Sequence, residues 1–312
     1  MEQALPIITI MGPTGVGKTD LAISLSKQIS SEIISVDSVQ VYKGMDIGSG
    51  KASKDILDKY PHKLVSFIDP WKSYSTALFI LDATREINLC DRSNKVPLLV
   101  GGTMLYFKSL LSGISRMPEA NQEVRNEISD QARKYGWGFL HKELSKVDPD
   151  SAQRIHPNDS QRIQRALEVY RVSSKTMTEW RKRDKGSDLV KTKRVIQFAV
   201  EPKSRESLRE DVKTRFLLML ERGLVKEVEK LLDLKQMDLT KSSMKSVGYR
   251  QICDYLEGKS TYEEMTVKAV NATRQLAKRQ MTWLRKWKNL HWVNQDTQGA
   301  LEFIQEKLRL TS

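Results

Sequence analysis

Cysteine is scarce: the 312 residues contain only Cys90 and Cys253. They lie far apart in no ligand-like spacing, which argues against a thiolate metal site and fits a reduced compartment. Long apolar runs are missing too. None approaches the roughly 20 residues that span a bilayer, so no membrane partner is expected. The start of the chain carries Glu2 and lacks the basic stretch and cleavage site of a secretory leader, so a cytoplasmic location is expected. There is no internal repeat and no low-complexity tract.

Acidic residues run short in two places. Residues 161–194 hold eleven Lys/Arg against four Asp/Glu, and residues 271–292 hold six Lys/Arg and no acid. Together they account for the whole formal net charge of +13. Positive charge gathered this way suits a polyanion, with nucleic acid the leading candidate, or else a solvated surface kept for solubility.

What the chain does have is a phosphate loop. Gly12-Pro13-Thr14-Gly15-Val16-Gly17-Lys18-Thr19 carries two glycines, a lysine and a hydroxyl at fixed spacing. The apolar run Ile7–Met11 precedes it, and the helical stretch Asp20–Gln28 follows. The glycines let backbone N–H groups turn toward phosphate oxygens, and the helix N-terminus adds partial positive charge. Lys18 is expected on the outer phosphate and the Thr19 hydroxyl on Mg²⁺. A di- or triphosphate ligand follows.

Further apolar runs read as strands at 33–36, 96–100 and 192–200, with helical patterns between them. Strands alternating with helices predict an α/β fold with a parallel sheet flanked by helices. Ligands of such sheets lie beyond the C-terminal strand ends, so the phosphate loop, Asp37 and Thr103 are expected to share one cleft. No strong strand signal appears from about 117 to 186, where Glu119–Lys134 and Ser160–Trp180 look helical. The expected organisation is a phosphate-loop core of residues 1–117 and 187–312 with a helical insertion domain, 118–186. In the last long helix, Arg274, Lys278 and Arg285 fall on one side. Leu276, Trp283, Trp287 and Leu290 fall on the other, where core packing is expected.

Asp37-Ser38-Val39-Gln40 follows the second strand. From spacing alone Asp37 is a general base or substrate binder, a Mg²⁺ ligand, or a helix N-cap. The glutamine amide offers donor and acceptor together, which matches an adenine edge. Gly101-Gly102-Thr103 brings backbone close to a ligand or makes a plain turn. Lys51 faces phosphate or solvent.

Several motifs together resemble one family, the tRNA dimethylallyltransferases. They are Gly12–Thr19, Asp37–Gly48, Gly101–Tyr106, Asn158–Val169, Val247–Gln251 and Thr273–Trp283. The resemblance runs from the N-terminus to about Trp287, departing at His62-Lys63 and at Val39. It implies transfer of a dimethylallyl group from dimethylallyl diphosphate to N6 of the adenine 3′ of the anticodon, assisted by Mg²⁺. On this reading Gly12, Pro13, Thr14, Gly15, Val16, Gly17, Lys18, Thr19 and Arg215 hold the diphosphate. Asp37 takes the proton, and Thr103 sits beside the reacting carbon or the diphosphate. Contacts to the tRNA anticodon stem-loop are implied for Asp37, Ser38, Val39, Gln40, Thr103, Arg125, Gln161, Arg162, Ile163, Gln164 and Arg165. Further contacts are implied for Lys245, Ser246, Val247, Gly248, Tyr249, Arg250, Arg274, Lys278 and Arg285. A monomer is expected. A small-molecule kinase, an RNA-binding regulator and a prenyltransferase of free adenine nucleotides are the competing readings.

Overall fold

A computed structural model describes residues 5–113, 115, 117–182 and 189–309. Part of the basic stretch, 183–188, lies outside the described residues. The chain divides into two compact units, Met1–Leu111 with Leu189–Ser312, and Ser112–Asp188. Among the described residues no helix is long and apolar enough to cross a membrane.

The larger unit is built on one sheet of six strands: β1 Ile7–Met11, β2 Ser31–Val36, β3 His62–Lys63, β4 Val96–Gly101, β5 Val195–Glu201 and β6 His291–Asn294. Their order is β3-β2-β4-β1-β5-β6 and all pairs are parallel. The sheet flanked by helices is the α/β fold expected. Its inner strands are apolar on both faces because both faces are covered. Ile8, Ile10, Leu98 and Phe198 pack on one side, with the helices Lys18–Ser26 and Thr297–Arg309. Ile7, Met11, Ile34 and Leu99 pack on the other, with Thr76–Arg92 and Met104–Ser112. The short edge strands β3 and β6 carry too few residues for a sequence pattern to mark them.

Register places Met11, Val36 and Gly101 side by side at the C-terminal ends of β1, β2 and β4. The phosphate loop, Asp37 and Gly102–Thr103 leave the sheet together there. The order of connection also reverses at β1: the strands that follow it in sequence, β2 to β4, lie on one side, and β5 and β6 lie on the other. Such a reversal opens a crevice between loops.

A helical layer completes this unit: Arg205–Glu221, Leu224–Leu232, Tyr249–Leu256 and Tyr262–Arg285. It encloses a third apolar cluster with Val41, Tyr42 and Met45. The helix Tyr262–Arg285 ends before Trp287 and Leu290, so these two lie beyond it. Trp287 still packs on the core and donates its indole N–H to Gln197 at 2.9 Å. Trp283 departs from the core packing expected of it. It is 39% exposed, with the Lys108 ammonium 5.5 Å from its ring centre. The helix's buried face is made instead by Met265, Ala269, Val270, Ala277, Gln280, Met281 and Leu284.

The smaller unit is helical. Gln122–Tyr135, Trp137–Val147 and Ser160–Ser173 surround an apolar core that includes Ile128, Leu140 and Ile163. The long helix expected over 160–180 breaks at Ser174, whose φ of 54° stops it, and resumes at Met177–Lys182. Glu168 is fully buried in this unit. It accepts from Arg125 Nε and a terminal nitrogen at 2.9 and 3.2 Å, from Arg165 at 2.9 Å and from the Asn121 N–H at 2.8 Å. Burial works against its ionisation, but the Arg165, Arg125 and Asn121 bonds outweigh that and lower its pKa.

Candidate active site

The phosphate loop is ready for an anion. Gly17, in the left-handed region at φ 79°, turns the chain into the helix Lys18–Ser26. The N–H groups from Gly15 to Thr19 have no acceptor among the described residues. N–H groups that converge unpaired at a helix start hold positive potential. Lys18 donates its ammonium to the Pro13 carbonyl at 2.6 Å, inside its own loop. Burial pulls the Lys18 pKa down to about 7; the Arg215 charge pulls the same way, and Asp37 opposes both. The Thr19 hydroxyl makes no hydrogen bond to the described residues.

Arg215, on the helix Arg205–Glu221, reaches the same place. Its guanidinium donates to the Gly50 carbonyl at 3.4 Å. Burial lowers its pKa, against the raising influence of Asp37 and Asp20. Lys18, Arg215 and Asp37 thus form one electrostatic group.

Asp37 sits where β2 ends. Its Oδ1 accepts from the N–H of Val39 at 2.8 Å and of Gln40 at 3.2 Å. One oxygen therefore closes a turn, and no described residue donates to Oδ2. The Thr103 hydroxyl accepts from the Ser38 N–H at 3.2 Å, leaving its own proton free to point elsewhere. Gly101 and Gly102 are needed here for closeness. A Cβ at Gly101 would lie 2.1 Å from the Val36 carbonyl oxygen, and one at Gly102 would lie 2.5 Å from Gln280 Nε2.

Asp37, Thr103, Arg215 and, from the phosphate loop, Thr14 open on one cavity of about 340 Å³. Thr14, Asp37, Ser38, Thr103 and Arg215 give it polar walls. Met104, Leu105, Phe216, Met219, Leu276 and Trp283 give it apolar ones. Its lining mixes apolar side chains with a few polar groups, as small-molecule sites do.

Several expected side chains take other positions. Gln40 accepts from the Ser35 hydroxyl at 3.3 Å and donates to the Ser49 carbonyl at 3.4 Å, so its amide ties the 46–50 loop to β2. Lys51 faces neither phosphate nor solvent: it is bonded to the Tyr42 carbonyl at 2.5 Å and Asp46 at 2.7 Å. Tyr249 is fully buried, with its hydroxyl on Glu227 at 2.7 Å. Ile163, likewise, faces the core of the smaller unit. Neither Tyr249 nor Ile163 offers side-chain surface to a nucleic acid. Arg125 and Arg165 are held on Glu168, and Gln164 donates to the Arg125 carbonyl and the Ser129 hydroxyl. Arg162, Lys245, Arg250, Lys278 and Arg285 are exposed. Arg274 is half-buried, donating to the Arg209 carbonyl at 3.3 Å.

Glu227 escaped the sequence reading. One carboxylate accepts from the N–H groups of Asp46, Ile47 and Gly48 at 3.0, 2.7 and 3.1 Å, as well as from Tyr249. It fixes the loop whose Gly48 and Ser49 form part of the cavity wall. Nothing in the sequence near Glu227 signals a partner 180 positions away.

The profile of the IPP transferase family matches residues 40–287, and that of the isopentenyl transferases matches residues 5–62. The chain belongs to the IPP transferase family. As an IPP transferase it is a prenyl-transferring enzyme, and solved structures agree with that placement. A full-length tRNA isopentenylpyrophosphate transferase from Bacillus halodurans is 34% identical over 97% of each chain, with a TM-score of 0.69. A tRNA delta(2)-isopentenylpyrophosphate transferase from Staphylococcus epidermidis is 31% identical over 98% of this chain and 100% of that one, with a TM-score of 0.70. A eukaryotic dimethylallyltransferase acting on tRNA is 26% identical over 93% of this chain and 74% of that one, with a TM-score of 0.75.

Proposed function

We propose that this transferase moves a dimethylallyl group from dimethylallyl diphosphate to N6 of the adenine 3′-adjacent to the anticodon of a tRNA, acting in the cytoplasm as a monomer. The observation that carries this reading is the meeting of a phosphate loop and the open Oδ2 of Asp37 on one cavity with apolar walls. In this reading the loop Gly12–Thr19 binds the diphosphate through its N–H groups from Gly15 to Thr19, together with Lys18 and Arg215. N6 attacks the first carbon of the prenyl group. That carbon's bond to oxygen breaks, and diphosphate leaves with the electron pair. Its growing charge is met by Lys18, Arg215 and the loop N–H groups. Asp37 Oδ2 accepts the proton that N6 sheds. Thr103 sits beside the reacting carbon or the diphosphate, where its free hydroxyl proton can meet a diphosphate oxygen. The base is stacked in a loop beforehand, so it is everted into the cavity, with Ser38 and the backbone at Val39 beside it. Gln40 joins them by exchanging two long, weak bonds.

The chemistry of the donors fits a magnesium ion carried in on the diphosphate rather than a resident one. Among the described residues no group of three His, Cys, Asp or Glu could hold a metal. Mg²⁺ commonly takes few protein ligands together with substrate phosphates, and the unbonded Thr19 hydroxyl suits that. Bound there, the ion would stabilise the leaving diphosphate. Exposed cations at Arg162, Lys245, Arg250, Lys278 and Arg285 supply the charge for tRNA phosphates.

The test is direct. The purified chain is incubated with Mg²⁺, dimethylallyl diphosphate and unmodified tRNA, and nucleosides are then examined by mass. Prenylated adenosine in the anticodon loop is expected. Product from free adenine nucleotides but not from tRNA, or phosphate transfer from ATP instead, would end the reading.

A further inference from the structure

Gln280 lies on the inner face of the helix Tyr262–Arg285 and is 9% exposed. Its side-chain amide joins two peptide groups whose residues Thr14, Gly102 and Thr103 all line the cavity. Gln280 Oε1 accepts from the Thr14 N–H at 3.0 Å. The carbonyl of that same peptide, Pro13–Thr14, accepts the Lys18 ammonium at 2.6 Å. Gln280 Nε2 donates to the Gly102 carbonyl at 2.8 Å. The other end of that peptide, the Thr103 N–H, donates to the Val36 carbonyl at 3.3 Å. One amide plane thus fixes the peptide that seats Lys18 and the peptide that carries Thr103. Hydrogen bonds in such a chain polarise and strengthen one another. The closeness is built in, because only a glycine at 102 leaves room for Nε2.

We propose that Gln280 is a positioning residue, which holds the phosphate loop and the Gly101–Thr103 turn in the mutual register that diphosphate binding requires. It occupies the Thr14 N–H so that the N–H groups from Gly15 onward are the ones offered to phosphate. This rests on the assignment of Lys18 and Thr103 to the diphosphate donor. Lys278, two residues earlier on the same helix, is exposed. The residue therefore touches the donor side from a helix that also presents positive charge outward.

Gln280→Glu and Gln280→Met test the proposal together. The carboxylate of the Gln280→Glu variant would keep an acceptor for Thr14 but place an oxygen against the Gly102 carbonyl. Only its protonated form restores the donor. The kcat/KM of Gln280→Glu for dimethylallyl diphosphate, divided by that of the wild type, is followed from pH 8 to pH 5.5. At pH 8 the loss is expected to be about tenfold or more, carried by KM, with tRNA Kd unchanged. The ratio is expected to recover as pH falls. Gln280→Met keeps the span without either bond and is expected to raise KM alike at every pH. A flat ratio in Gln280→Glu, a KM unchanged in Gln280→Met, or an effect on tRNA Kd alone overturns the proposal. Loss of the fold in both variants also overturns it, since the amide would then serve packing. Wild-type enzyme that transfers no prenyl group would instead sink the functional reading beneath.

Discussion

Lys18 gives the sharpest quantitative handle on the donor site. Burial first, and then the Arg215 charge, pull its pKa down to about 7. A diphosphate set against it favours the charged form, so binding raises that pKa toward its ordinary value of 10.5. At pH 8 about nine-tenths of free molecules lack the proton, and each then takes up nearly one proton on binding. Affinity should fall about tenfold per pH unit above 7, and should level off below it as Lys18 becomes charged beforehand. Working at pH 7.5–9 keeps the ligand's own phosphate ionisation, near about 6, out of the measurement. Calorimetric titration with dimethylallyl diphosphate in two buffers of different ionisation enthalpy counts the protons directly. Lys18→Met should bind more weakly with no uptake. Uptake close to zero at pH 8 in the wild type refutes the lowered pKa, and equal uptake and affinity in Lys18→Met refute the assignment of this lysine to the diphosphate.

Asp37→Asn keeps an acceptor for the Val39 and Gln40 N–H groups while removing the base, so kcat should fall by about 10²–10⁴ with tRNA affinity and thermal stability retained; full turnover would eliminate the proton-accepting role. Removing Lys278 and Arg285 together should lower the slope of log affinity for tRNA against log salt by about 0.7–0.9 for each phosphate no longer neutralised, and an unchanged slope would mean that this face touches no phosphate. Arg274, already committed to Arg209 and 3.7 Å from Glu210, should contribute least to that slope. Glu227→Gln leaves one acceptor where three loop N–H groups and a buried hydroxyl converge, so chemical denaturation should show a loss of about 2–4 kcal/mol; stability equal to the wild type would contradict the clamp.

Much of the fold was legible because its signals are local. The strand–loop–helix context of Gly12–Thr19 and the apolar runs at 7–11 and 96–100 are written in adjacent residues. What escaped is written across the chain. β3 and β6 exist because neighbouring strands in space complete them, with His62 beside Ile33 and His291 beside Phe198. Glu168 collects two arginines that the sequence presents as free cations for RNA. Periodicity put Trp283 on the inner side of its helix. That side does face inward, but there it meets the cavity rather than packed core, and the pattern of residues on one helix cannot tell the two apart.

Asp37 shows the same limit from within the site. Spacing left it as base, metal ligand or cap, as if these were alternatives. In the structure Oδ1 is committed to the turn through two N–H groups, and that commitment fixes the direction of Oδ2. A carboxylate free to rotate would lose side-chain entropy each time it met an amine; one pinned by its own following residues does not. On the proposed reading the cap is the means by which the base is aimed, within the four residues Asp37-Ser38-Val39-Gln40. The same division of labour holds opposite it, where the Thr103 hydroxyl accepts from Ser38 and has only its proton left to offer. On the proposed reading each wall commits one atom to the scaffold and keeps another for the reaction, the preorganisation that transfer between two bound partners demands.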